Sequence, residues 1–203
     1  MFRRSTVALA AAFAALAALV AAGVFTGVDQ WAIDHAMPGG HFRNAHVESF
    51  LHAAIPLYAT RWSDAYSVAV NLVTLPASFL ISLVIVFACS RLLGLALLAG
   101  VAVEVICKET LERPALHKGA LHIIPFDSSF PSGHTLRTVL VAVAVATVWT
   151  RLRAAAAIWA AAAIALLLLA GWHTPSDLLG GLALGLLGAG AAGALRRRRL
   201  GGA

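Results

Sequence analysis

Long apolar runs separated by short polar stretches dominate this chain. Runs of that kind predict helices able to cross a bilayer, which takes roughly twenty residues. Six can be drawn, at residues 7–28, 68–89, 92–107, 132–150, 154–170 and 177–195. The second contains Pro76, which predicts a kink held by neighbouring helices. The third predicts a helix that continues past the membrane surface. Polar positions gather in two segments, 29–67 and 108–130. The pattern therefore predicts an all-α fold: a polytopic membrane protein with a six-transmembrane-helix bundle, built as one domain over residues 1–203.

Composition agrees with the pattern. Of the 203 residues, 61% are hydrophobic and only 12% charged, more apolar surface than a soluble domain of this size can hide. The net charge of +6 does not point to nucleic acid, because most basic residues stand at the ends of apolar runs, where they orient a membrane protein. With the N-terminus in the cytoplasm, Arg3, Arg4, Arg91, Arg151, Arg153 and Arg196 to Arg199 fall inside. Arg43, Arg61, Lys108, Arg113, Lys118 and Arg137 fall outside or near the outer face, the smaller set. Trp31, Trp62 and Trp172 then mark the outer interface and Trp149 the inner one. Both termini are expected in the cytoplasm of a bacterial inner membrane.

The opening Met1-Phe2-Arg3-Arg4 and the Ala21-Ala22 pair are compatible with a signal peptide. The apolar run is longer than the roughly 7–15 residues of a signal core, so a retained first span is expected. Cys89 and Cys107 fall at opposite ends of the second and third spans. A disulfide needs Cα atoms within about 7 Å, against a hydrocarbon core roughly 30 Å thick, so no bridge is expected. In segment 29–67, His35, His41, His46 and His52 do not repeat the i, i+4 spacing of a helical metal site. An interfacial segment with solvated histidines is expected there, laying Phe50, Leu51, Ala54 and Ile55 on the lipid surface.

Chemistry converges on the outer side. Pro131-Ser132-Gly133-His134 stands directly before an apolar run, where proline suits the first turn of a helix. Open N–H groups at Ser132 and Gly133 would form an anion site at the positive end of the helix dipole, with His134 as proton donor. The plain alternative is a turn that starts a helix. His173 and Asp177, four residues apart, share a face of one helical turn. A carboxylate behind an imidazole fixes its tautomer and frees the other nitrogen to attack; a helix cap is the competing use of Asp177. Lys108 and Arg113, after the third run, reach the same level. Together these residues read as a nucleophile and acid pair with cations for phosphoryl oxygens.

The chain resembles the type 2 phosphatidic acid phosphatases, membrane relatives of the vanadium haloperoxidases. That family carries Lys-x6-Arg-Pro, Pro-Ser-Gly-His and Ser-Arg-x5-His-x3-Asp in the outer loops of a six-helix bundle. The second motif is complete here, and the third keeps His173 and Asp177. The resemblance implies that His173 forms a phosphohistidine, Asp177 orients it and His134 is the general acid. It implies no metal and no cofactor. Lys108, Arg113, Ser132 and Gly133 would bind the substrate phosphate. Two departures stand out. Ala115 occupies the first motif's arginine position, with Arg113-Pro114 two residues earlier, and Leu166-Leu167 replace Ser-Arg in the third. Arg137, one turn beyond His134 on the same face, is expected either to supply the missing guanidinium or to pair with Glu104.

The expected activity is hydrolysis of a phosphomonoester or pyrophosphate of a membrane lipid on the extracytoplasmic side. Phosphatidic acid, phosphatidylglycerophosphate and undecaprenyl pyrophosphate are the candidates; the oligomeric state is left open. A degenerate member that binds or transports phospholipid is the alternative. An intramembrane serine protease using Ser132 is disfavoured, because that serine stands only two residues from its own histidine and lacks the surrounding pattern that helix-based proteases need.

Overall fold

The computed structural model describes residues 2–36, 78–169 and 171–201. The expected kink at Pro76, and the interfacial residues from His41 to Ile55, lie outside the described residues. What is described is mostly helical: α1 (Phe2–Ala21), α2 (Thr26–Ala36), α3 (Ser78–Cys89), α4 (Arg91–Thr110), α5 (Gly133–Val148), α6 (Arg153–Leu169) and α7 (Pro175–Gly201). A small antiparallel hairpin, β1 (His117–Lys118) and β2 (Leu121–His122), interrupts the link between α4 and α5.

Helix α7 is the centre of the bundle, packing against α1, α4 and α5, while α6 packs on α5. The composition of α7 explains its place. A Cβ at Gly181 would overlap the backbone carbonyl of Ser132, and one at Gly185 would come within 2.8 Å of Val139 Cβ. Glycines one turn apart thus let the backbones of α5 and α7 approach closely, as small residues do between membrane helices. Around this contact Phe13, Leu97, Leu136, Leu140 and Leu184 form the main buried core.

The outside of the bundle is apolar as well. Ile158 on α6, Val84 on α3 and Val7 on α1 are each more than 60% exposed, and in α6 the buried side chain is Ala156 alone. Two helices, Thr150–Leu169 and Pro175–Arg199, are long and apolar enough to cross a bilayer, and a third is if the bent pair at the N-terminus counts as one. Among the described residues, length and apolarity alone give no more than these three, and part of the expected span 68–89 lies outside them. The apolar helices Ser78–Cys89 and Gly133–Val148 are shorter, and the last turns of α4 carry Glu104, Lys108 and Glu109.

The first expected span, 7–28, is broken. Helix α1 ends at Ala21, and the following helix turns away by 75°. Gly23 makes the turn with φ of +74°, a left-handed conformation that other residues enter at a steric cost. The bend sends α2 across to the hairpin. Gln30 pairs with the backbone of His117 through both ends of its amide, at 2.6 and 3.0 Å. Lys118 Nζ donates to the carbonyls of Ile33 and Asp34, satisfying acceptors that a helix end leaves open. Ile33 joins Leu116, Ile123 and Phe126 in a second small core under this junction. His35 is exposed, as expected, and stacks on Trp31. Cys89 and Cys107 are free thiols.

Candidate active site

Two helix starts and one helix end build the site. Ser132 is the N-cap of α5, its Oγ accepting the Thr135 N–H at 3.2 Å. Its own N–H donates to the Asp177 carbonyl at 2.9 Å, and the residue is wholly buried. Ser132 therefore differs from the expectation of an open anion ligand. Its Oγ is occupied within α5, and its N–H ties the loop to α7. The N–H groups of Gly133 and His134 sit in the first helical turn, where no intrahelical carbonyl reaches them.

At α7, Thr174 precedes Pro175, which occupies the first helical position. Asp177 Oδ2 accepts the Thr174 N–H at 3.0 Å, the return contact of a capping box. The same oxygen accepts Ser129 Oγ at 2.7 Å and stands 3.6 Å from His173 Nδ1. Capping and orienting are thus one arrangement rather than alternatives. On its other side, His173 Nε2 lies 3.3 Å from His134 Nδ1. His173 is buried and His134 half-buried, with the Trp172 ring against His134.

Arg113 departs furthest from its expected place. Its guanidinium is 3% exposed and lies between two carboxylates, with Nη1 on Asp177 Oδ1 at 2.9 Å and Nη2 on Asp29 Oδ2 at 2.6 Å. It braces the site from behind rather than lining it. Lys108 pairs with Glu104 Oε1 at 2.6 Å and remains about one-third exposed. The Glu104 carboxylate fits against Gly133, where any Cβ would overlap it, and so stands at the positive end of α5. Glu104 has therefore taken Lys108, not Arg137, as its ion-pair partner. Arg137 is half-buried, senses Glu104 at longer range and makes no ion pair among the described residues. Lys108 and Arg137 both act electrostatically on His134.

The spacing of motifs did not single out Asp29, Ser129 or Ser176. Asp29 is 84 residues from Arg113 in the chain, so no local spacing connects them. Its one signal is an acid that follows directly on an apolar run.

A family model described as the PAP2 superfamily matches residues 92–200, over half of the chain. The chain belongs to the PAP2 superfamily. That match begins inside α4 and covers His134, His173 and Asp177 together. PAP2 proteins are generally phosphatases acting on phosphate esters. No curated protein and no solved structure matches the chain. Within the PAP2 match, Leu166 and Leu167 lie on α6, and Leu166 is exposed, so that helix brings no cation to the histidines from these positions.

Proposed function

We propose that this PAP2 protein is an integral membrane lipid phosphatase that works through a phosphohistidine on His173. The observation that carries the reading is the line from Asp177 Oδ2 through the His173 ring to His134 Nδ1, with gaps of 3.6 and 3.3 Å. Such contacts tighten when substrate is bound. With Nδ1 of His173 protonated toward Asp177, Nε2 presents its lone pair on the side of His134.

His173 Nε2 attacks phosphorus as the bond to the lipid oxygen breaks. The departing oxygen keeps that electron pair and takes a proton from the His134 imidazolium. Water then attacks the phosphohistidine and gives a proton to His134. The P–N bond breaks, its electron pair returns to Nε2, and inorganic phosphate leaves. The N–H groups of Gly133 and His134, with Lys108 and Arg137, hold the charge on the phosphoryl oxygens. Arg113 acts through Asp177 and does not touch phosphate.

The exposed apolar surfaces of α1, α3 and α6 support a bilayer setting and hence a lipid substrate. In the proposed topology the site faces the extracytoplasmic side, and phosphatidic acid, phosphatidylglycerophosphate and undecaprenyl pyrophosphate are the substrates to try. Phosphate release from these three by the purified protein, beside His173→Ala, tests the reading. The substitution is expected to remove at least about a thousandfold of the rate and all acid-labile phosphoenzyme. Undiminished turnover in His173→Ala would overturn it.

A second reading, a member that binds phospholipid without hydrolysing it, draws support from the Lys108–Glu104 pair and from Leu167. It requires no phosphate release from any substrate, with lipid binding indifferent to His173→Ala.

A further inference from the structure

Asp29 lies outside the motifs and outside the region matched by the family model. It is nonetheless fully buried against the candidate site. Its Oδ1 accepts the Ser176 N–H at 3.0 Å, and its Oδ2 accepts Ser176 Oγ and Arg113 Nη2, each at 2.6 Å. Ser176 immediately precedes Asp177 on α7. Asp29 therefore holds the first turn of α7 through one set of contacts and the guanidinium behind Asp177 through the other.

The geometry of the guanidinium gives this a chemical consequence. An arginine facing one carboxylate tends to engage both of its oxygens with parallel N–H groups. Here Nη2 is held by Asp29, so Nη1 alone reaches Asp177, and it reaches Oδ1. The second oxygen, Oδ2, is left to Ser129, Thr174 and His173. Without Asp29, the fork is free to close on Asp177 and turn Oδ2 away from the imidazole. We propose that Asp29 is a positioning residue for the nucleophile, holding Arg113 to a single contact so that Asp177 stays aimed at His173 Nδ1. This rests on the phosphohistidine reading for its effect on rate, and on geometry alone for its effect on the His173 tautomer.

Among the described residues, the charged and titratable groups around His173 come from three helices and the link between α4 and α5. Asp177 lies on its own segment, His134 faces it from α5 and Arg113 stands behind Asp177. Lys108 from α4 and Arg137 from α5 act on His134 beside it. None of these changes in an Asp29→Asn variant, which removes one charge and leaves the shape.

The test uses the full chain in detergent, with two independent readouts. In the first, histidine nitrogen NMR reports the His173 tautomer, the signal assigned by its loss in His173→Gln. Asp29→Asn is expected to reduce the Nδ1-protonated form; an unchanged tautomer overturns the proposal whether or not the protein turns over lipid. In the second, Asp29→Asn is expected to lower kcat by about tenfold to a hundredfold with KM within about twofold. In an Asp177→Asn background it should add no further loss, because its route to the imidazole is already cut. A full additional loss there, or an undiminished kcat in the single variant, also overturns it. Should Asp29→Asn fail to fold, Asp29→Ser takes its place. It removes the carboxylate that holds Nη2 and leaves the fork free to close on Asp177, and an unshifted tautomer in that variant overturns the proposal. Wild-type protein that releases no phosphate defeats the phosphatase reading and leaves the tautomer measurement to decide on Asp29.

Discussion

Single residues divide into those that face the histidine pair and those that hold it. Ser132 belongs to the second group, since its Oγ caps α5 and its N–H binds the Asp177 carbonyl. Ser132→Ala is therefore expected to cost about 1 kcal/mol of stability, seen as a lower unfolding midpoint, with KM nearly unchanged. A large rise in KM with unaltered stability would return Ser132 to the phosphate. Arg137 belongs to the first group, and its charge is not taken by a neighbouring carboxylate within ion-pair distance among the described residues. Arg137→Ala is expected to raise KM by about tenfold to a hundredfold, and Arg137→Lys by less, because lysine keeps the charge without the fork. Equal phosphate-release kinetics in all three proteins would exclude Arg137 from substrate binding. His134, His173, Asp177 and Lys108 were legible in the chain because short motifs carry them. Asp29 was not, since its partners are brought to it by packing between distant segments.

At the scale of elements, the apolar pattern located α4 to α7 to within two or three residues of their ends, apart from the end of α7, which runs on to Gly201 past the expected 195. It missed the break after Ala21, because a lone glycine in an alanine-rich run looks like tolerated packing until its φ is known. It also missed the β1–β2 hairpin. Two residues per strand are too few for a periodic signal, and the hairpin is held by Gln30 and Lys118 contacts with α2 rather than by its own pattern. The approach of α5 to α7 gives a direct test. Gly181→Ala places a methyl on the Ser132 carbonyl, a backbone atom that cannot move aside alone, and is expected to destabilise by about 1–3 kcal/mol. Gly190→Ala on the same helix meets its nearest atom at 3.7 Å and should leave the unfolding midpoint unchanged or slightly raised. Thermal unfolding of both variants in detergent makes the comparison; equal midpoints would mean that the close approach carries no weight.

For the whole molecule, the distribution of charge along α7 bears on orientation. The span Pro175–Arg199 has 25 residues, about 37 Å of helix, enough to put Asp177 and the arginine run at opposite faces of a bilayer. A fluorescent protein fused at the C-terminus is expected to fluoresce, and an alkaline phosphatase fused there to be inactive, as a cytoplasmic end requires. The reverse pair of results would invert the proposed topology. The charge bias carries this proposed orientation, whereas among the described residues the number of spans depends on α4, which carries polar turns into the site, and on α5, which is short.

The left-handed turn at Gly23 has a consequence for how such a protein can be divided. Trimming the chain to the block from Arg91 onward would keep every motif and discard the carboxylate opposite Arg113. The fragment would hold the Arg113 guanidinium against Asp177 alone, with Nη2 and the Ser176 N–H stripped of the acceptor that Asp29 gives them. A catalytic block transplanted onto a different N-terminal helix would meet the same fault unless an acid arrived with the bend. The two parts are fit to be inherited, recombined or engineered only as a unit.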